Sequence, residues 1–281
     1  MIQSPIIILG GKGMLGQYLV DLFSDRHTLV WDKEELDITD LSAVKEQLAS
    51  VAPKIVINAA AYNAVDQAET DEGFAIAEQV NAQGPKNLAE VCAQLGAVFV
   101  HYSTDYVFDG TKKEGYTETD APNPKSRYAL SKFHGEQAVV AAGGYVIRTC
   151  KLFGHPGSSD GSKKSFVDLM LTLAETKTEL NVVNEEYASP TYVRDLAQQT
   201  RLILEQEYAP GIYHVTNTGA CTWYEFAQEI FHQKGITITL NPVPASRFPR
   251  PALRPAYSVL LNTKLPPMRS WQEALADYLQ Q

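Results

Sequence analysis

The feature that most restricts this chain is a glycine loop set directly behind a short apolar run. Ile6-Ile7-Ile8-Leu9 is followed by Gly10-Gly11-Lys12-Gly13-Met14-Leu15-Gly16, and the apolar spacing from Met14 to Phe23 predicts a helix. A strand that turns at once into a helix needs residues without Cβ at the turn. The same bare backbone lets a pyrophosphate approach the unpaired N–H groups at the helix start, here Gly10, Gly13, Met14 and Leu15. Taken alone, the Gly10-x-x-Gly13-x-x-Gly16 spacing fits a ligand-free β–α turn equally well. Its position as the first βα turn, with Asp32 closing the second strand sixteen residues past Gly16, favours a dinucleotide site. Asp32 would take the ribose hydroxyls and repel a 2′-phosphate. Lys33 follows at once and would compensate, so NADH and NADPH both stay open.

The first 150 residues alternate strand and helix patterns. Strands are predicted at Ile6–Leu9, Thr28–Trp31, Lys54–Asn58, Val98–Ser103 and Tyr145–Thr149, and helices at Met14–Phe23, Leu41–Ser50, Gly73–Leu95 and Arg127–Ala142. Near-continuous apolar strands with helices between them imply a parallel sheet covered on both faces. The expected fold is α/β: a Rossmann-type doubly wound sheet over 1–150, with 151–281 mainly a smaller C-terminal α/β substrate-binding domain and parts of 180–205 returning to the first. Gly154–Lys164 reads as an exposed, mobile loop. Helices follow at Phe166–Thr176, Arg194–Glu205, Thr222–Gln233 and Ser270–Leu279, with strands near Leu180–Val183 and Ile212–Val215. Five prolines in Asn241–Pro255 predict an extended, ordered arm.

Across 281 residues, 24 Lys and Arg stand against 33 Asp and Glu, a formal charge of −9. That balance argues against a general nucleic-acid or anionic-membrane surface and leaves room for a local basic pocket. Cys92, Cys150 and Cys221 lie far apart without a CxxC pair, as expected of reduced thiols in a cytoplasmic protein. The opening residues carry no basic leader pattern, and no apolar run reaches the length of a membrane span.

Tyr128-Ala129-Leu130-Ser131-Lys132 places a Lys four residues after a Tyr, so a helix would carry both on one face. An ammonium beside a phenol is expected to lower the phenol's pKa and ready it to protonate a carbonyl oxygen as hydride reaches the carbon. With 14 tyrosines, about one such pair arises by chance. Thr104 strengthens it. It stands twenty-four residues upstream, at the carboxyl end of a strand, where ligands gather in open α/β sheets, and its hydroxyl would hydrogen-bond the substrate carbonyl. His101 reads as a core histidine, Trp223, Tyr224 and Phe226 as packing, and Glu185-Glu186 as a solvated loop.

The GxxGxxG loop, Leu36-Asp37-Ile38-Thr39-Asp40, Asn58-Ala59-Ala60-Ala61 and the Thr104–Tyr128–Lys132 set resemble the extended short-chain dehydrogenases/reductases. Longer segments narrow the resemblance: Asn58 to Glu69, His101 to Gly110, Tyr116-x-Glu118-x-Asp120, Ala188 to Ala197 and Arg254 to Asn262 are similar to the dTDP-4-dehydrorhamnose reductase family over nearly the whole chain. The resemblance implies NAD(P)H-dependent reduction of the C4 ketone of a thymidine-diphosphate 6-deoxyhexose, in a monomer or homodimer. It implies catalysis by Thr104, Tyr128 and Lys132, with Lys132 also holding the nicotinamide ribose. Asp37 and Ile38 would meet the adenine, and Ala59, Ala60 and Ala61 the cofactor's flank. Val65, Asp105 and Tyr106 would face the sugar, and Arg254 the diphosphate. Two positions depart from the family. Lys151 stands where an aromatic usually packs on the sugar, which leaves a 4-ketoreductase of another nucleotide sugar open. Tyr18 stands where some members carry a glutamate for a shared magnesium ion, so no metal is expected there. A 4,6-dehydratase would want Asp-Glu after Thr104, and here the pair is Asp105-Tyr106. A non-catalytic regulatory protein on the same fold is the reading from another class.

Overall fold

In β1 (Ile6–Leu9) every residue is buried, and successive side chains enter opposite cores. Ile6 and Ile8 pack with Leu15 and Leu19 of α1 (Met14–Leu22) and with α7 (Val193–Glu205). Ile7 and Leu9 pack with Val44 and Leu48 of α2 (Leu41–Val51) and with Leu88 and Val91 of α4 (Gly84–Leu95). This double coverage is why the strands read as unbroken apolar runs rather than as alternating ones. The computed structural model describes residues 5–159, 162 and 164–281.

β2 (Thr28–Trp31), β3 (Ile55–Asn58), β4 (Val98–Thr104), β5 (Tyr145–Thr149) and β9 (Gly211–His214) complete an all-parallel sheet in the order β2-β1-β3-β4-β5-β9. From β1 the chain steps outward to β2 and then returns to β3 on the other side. The turns after β1 and β3 therefore leave in opposite directions and open a crevice at the carboxyl ends of the strands.

The single predicted helix over Gly73–Leu95 is three pieces: α3 (Asp71–Glu78), a π turn at Gln79–Gln83, and α4. Pro85 has no N–H to return to the Asn81 carbonyl. α5 (Arg127–Ala141) uses the gap, for Gly135 comes so near that a Cβ would stand 2.1 Å from Asn81 O.

Beyond Cys150 the chain caps the sheet's carboxyl end. Parallel pairs β7 (Glu179–Val183) with β10 (Thr239–Val243) and β6 (Leu152–Phe153) with β8 (Thr191–Tyr192) lie beside α6 (Phe166–Ala174), α8 (Trp223–Lys234) and α9 (Trp271–Leu279). Ser165, Thr222 and Ser270 each start a helix with a reciprocal capping box. Residues 193–214 return to the main sheet as α7 and β9, and one apolar cluster runs from β1 through to Trp271 and Tyr278. The proline-rich arm opens as β10, makes a short turn at Ala245–Arg247 and continues to the mouth of the crevice. In the Gly154–Lys164 loop, Asp160, Gly161 and Lys163 lie outside the described residues. Its first part rests on the glycine loop, with the Ser158 and Ser159 N–H groups donating to the Lys12 carbonyl at 2.8 and 3.2 Å.

Candidate active site

Gly10, with φ +75°, passes against the turn after β3, where a Cβ would stand 2.7 Å from Ala60 N. A Cβ on Gly16 would stand 2.0 Å from Gly10 O. The N-cap of α1 is Gly13, which has no side chain with which to cap the helix. The helix start therefore faces the crevice as bare backbone, the surface a pyrophosphate needs. Gly10, Gly13, Met14, Leu15, Ala59, Ala60 and Ala61 all line one cleft of about 880 Å³.

A second hollow of about 400 Å³ shares Gly10, Asp32 and Ala60 with that cleft. It is walled by Trp31, Leu36, Asp37, Ile38, Ile76 and Val80, with Lys33 at its edge. Mostly apolar, it suits an adenine. Asp32, at the junction, accepts the Lys12 N–H at 2.8 Å, while Lys33 is solvent-facing and 3.9 Å from Asp37.

α5 presents Tyr128, Lys132 and Glu136 on one stripe at intervals of four. Glu136 binds Arg148 of β5 through two contacts, 2.9 and 2.6 Å, with both side chains almost wholly buried. This pair pins the helix to the sheet. Lys132 Nζ donates to the Tyr102 carbonyl at 2.6 Å and lies 3.5 Å from His101 Nε2, whose other nitrogen meets Asn58 Nδ2 at 3.2 Å. Burial lowers the Lys132 pKa to about 8, against the opposing charge of Glu136.

The expected fall in the Tyr128 pKa is not found. Burial and the Asp105 carboxylate push the phenol upward, and the Thr104 hydroxyl offsets part of the rise. The Lys132 ammonium is turned to a backbone carbonyl. Tyr128 thus keeps its proton at neutral pH, as a proton donor should. Its hydroxyl points at Asn63 Oδ1, 3.3 Å away.

Thr104, Asp105, Tyr106, Val65 and Lys151 line the same cleft as Tyr128. Asp105 accepts the Thr104 hydroxyl at 3.1 Å and the Ser258 hydroxyl at its other oxygen. Burial raises its pKa to about 6, with Ser258, Thr104 and the charge of Lys151 opposing. Lys151 has φ +44°. It donates to the carbonyls of Glu186 at 2.9 Å and Cys221 at 2.8 Å, and lies 4.4 Å from the centre of the Trp223 ring. Burial lowers its pKa. Arg254 is paired with Asp66, one contact at 2.7 Å, and stands behind the lining rather than in it.

A family model described as the RmlD substrate binding domain matches residues 4–281. The chain is 36% identical to the dTDP-4-dehydrorhamnose reductase of Streptomyces griseus, covering 96% of this chain and 91% of that one. It is 39% identical to a probable dTDP-4,6-dihydroxy-2-methyloxan-3-one 4-ketoreductase of Streptomyces antibioticus, covering 96% and 93%. The crystal structure of dTDP-4-dehydrorhamnose reductase from Bacillus anthracis in complex with NADP superposes with a TM-score of 0.92 at 35% identity, covering 99% of each chain.

The chain belongs to the dTDP-4-dehydrorhamnose reductase family.

Around Lys151 the cleft is walled by buried charge and an indole ring. Glu186, expected in a solvated loop, is buried and held by Arg250 and by the Trp223 indole N–H at 3.0 Å. Trp223, expected to be packing, lines the cleft. Sequence reasoning also missed Asn63 and Ser258. Asn63 sits in the quoted Asn58–Glu69 segment, and only its place opposite Tyr128 marks it. Ser258 sits in the quoted Arg254–Asn262 segment, 153 residues beyond Asp105, and no local signal contains that pairing. Tyr18, at the position of the family's glutamate, lies flat against His155, ring centres 6.4 Å apart. Among the described residues, no group of three or more His, Cys, Asp or Glu is placed to hold a metal, and no helix is long and apolar enough to cross a membrane.

Proposed function

We infer that this chain is an NAD(P)H-dependent reductase of the C4 ketone of dTDP-4-dehydro-L-rhamnose, yielding dTDP-L-rhamnose. The observation that carries the inference is the meeting, in one cleft, of a bare glycine cradle with a buried Tyr128 that retains its proton. When bound, NAD(P)H supplies the hydride. The glycine loop and α1 start would hold its phosphates, the hollow beside Trp31 and Ile38 its adenine, and Asp32 a ribose hydroxyl. Lys132, now on the Tyr102 carbonyl, would hold the nicotinamide ribose. Tyr128 gives its proton to the ketone oxygen, and Thr104 fixes the position of that proton donor. Val65, Tyr106 and Lys151 border the sugar. Arg254 would serve the diphosphate by exchanging its Asp66 partner. The same reading has the enzyme acting in the cytoplasm as a monomer or homodimer, without nucleic-acid or membrane partners.

A second reading keeps the chemistry and changes the sugar. Lys151 and its indole neighbour replace the family's single aromatic, and the 39%-identical relative is named for a different 4-ketosugar. Both readings are tested by following loss of NAD(P)H absorbance with dTDP-4-dehydro-L-rhamnose and with other dTDP-4-ketohexoses. Tyr128→Phe should lower kcat by roughly 10²- to 10⁴-fold with cofactor binding intact. Turnover of another ketosugar alone would move the assignment to the second reading, and turnover of neither would defeat both.

A further inference from the structure

We propose that Asp105 is the proton reservoir behind Tyr128, and that the Thr104 hydroxyl is the path between them. This rests on the reductase reading and adds a residue that acts through Tyr128.

The geometry assigns each hydroxyl a direction. Thr104 Oγ1 lies 3.1 Å from Asp105 Oδ1, donating to it while the carboxylate is ionised and accepting from it once the carboxyl is protonated, which frees the Thr104 proton to turn to Tyr128. The Thr104 oxygen accepts the Tyr106 N–H at 3.2 Å and faces the Tyr128 phenol. The hydroxyl thus stands between a phenol that must give up a proton each turnover and a carboxylate. Ser258 donates to the other carboxylate oxygen. Asp105 is 3% exposed, and among the described residues no cation is paired with it. Lys151 directs two of its three N–H donors at carbonyls and reaches Asp105 only through space, as do the Tyr128 and Cys150 side chains around it. A buried carboxylate held by two hydroxyls and a backbone N–H rather than by an ion pair is easily protonated, and its pKa of about 6 lies close to neutrality.

The step balances. As hydride forms the C–H bond at C4, the Tyr128 O–H bond breaks and the product O–H bond forms. The phenolate takes the Thr104 proton while the Asp105 carboxyl gives its own to the Thr104 oxygen. Asp105, left ionised, regains a proton from water entering the cleft that it and Ser258 both line. Each turnover consumes one hydride from NAD(P)H and one solvent proton.

Reprotonation follows hydride transfer, so its loss should separate the first turnover from later ones. Asp105→Asn should lower steady-state kcat about tenfold and single-turnover hydride transfer by clearly less. Wild-type kcat should fall as pH rises through about 6, and the variant should not show that limb. Ser258→Ala removes a hydrogen bond that favours the ionised form, so it should move the limb to higher pH. Carbon-13 titration of the Asp105 carboxyl in the unliganded protein should show the same upward movement. Equal loss of single-turnover and steady-state rates in Asp105→Asn, or a pH profile superposing on wild type, would overturn the relay. So would a Ser258→Ala titration that does not move. If wild-type protein reduces no 4-ketosugar, the reductase reading fails, while the carboxyl titration still decides whether Ser258 sets the protonation of Asp105.

Discussion

At the end proposed for the cofactor, the cleft is made of backbone and small side chains from two βα turns, Gly10–Gly16 and Asn58–Ala61. At the end proposed for the sugar it is made of Asp105, Lys151, Glu186, Trp223 and Ser258, drawn from segments up to 153 residues apart. The first end is shaped by what is missing: a Cβ at Gly10 or Gly16 would strike backbone. The second is shaped by buried charge, and each charge there raises a cost that the surrounding structure offsets. A cofactor site can be laid down by local sequence. A sugar site on this fold waits for the whole chain to close.

The sharpest test of that contrast is stability against pH. The Asp105 carboxyl holds its proton more tightly when folded, at about 6 against an ordinary 3.8. The folded chain therefore binds more protons than the unfolded one between those values. Its stability from this group falls as pH rises through that window, by roughly 3 kcal/mol at pH 7. Asp105→Asn should be more stable than wild type by about that amount at pH 7 and nearly equal to it at pH 4, read by denaturant unfolding at both. An unchanged gap across that range would mean that the sugar end carries no such burden. A gain in stability beside a loss in steady-state turnover would mark Asp105 as kept for function.

Next comes the cofactor end. Gly16→Ala puts a methyl group 2.0 Å from Gly10 O, so the loop must move. Overpacking of this kind costs about 1–3 kcal/mol, which corresponds to roughly 5- to 150-fold in NAD(P)H affinity if the loss falls on binding. Titration of NADH fluorescence should show that loss, while dTDP binding at the other end stays within about twofold. Equal weakening of both ligands would show that the two ends share one rigid frame.

The same division explains what could be read before folding. Five strands of the main sheet, the glycine loop and the Tyr128–Lys132 pair are local patterns, and they stand within a residue or two of where their spacing puts them. The upward shift of Tyr128 was not legible, because it arises from burial and from Asp105, a residue on a different element. Glu186 looked like a solvated loop residue because its partners, Arg250 and the Trp223 indole, lie 64 and 37 positions away. The break in the helix at Gln79–Gln83 was half legible: Pro85 marks it, but the carbonyl it frees matters only once Gly135 packs there.

The smallest effect concerns the 2′ position of the cofactor ribose. Asp32 faces the junction of the two hollows, with Glu34 and Glu35 in the same turn. Of the two lysines beside them, Lys12 is tied to Glu34 at 3.0 Å and Lys33 leans to Asp37. A 2′-phosphate would thus meet carboxylates whose counter-charges are already engaged, whereas a 2′-hydroxyl has an acceptor waiting in Asp32. NADH should therefore be the better donor for this chain, although the Bacillus anthracis relative was crystallised with NADP. Asp32→Ala removes one charge-assisted hydrogen bond to NADH and one repulsion against NADPH, so the ratio of their kcat/KM values should move about tenfold toward NADPH. The change should lie in KM, because Asp32 touches neither Tyr128 nor the ketone. A ratio that stays put would mean that Lys33, swinging from Asp37, already neutralises the 2′ position, and Lys33→Ala would then expose the preference that Asp32→Ala did not.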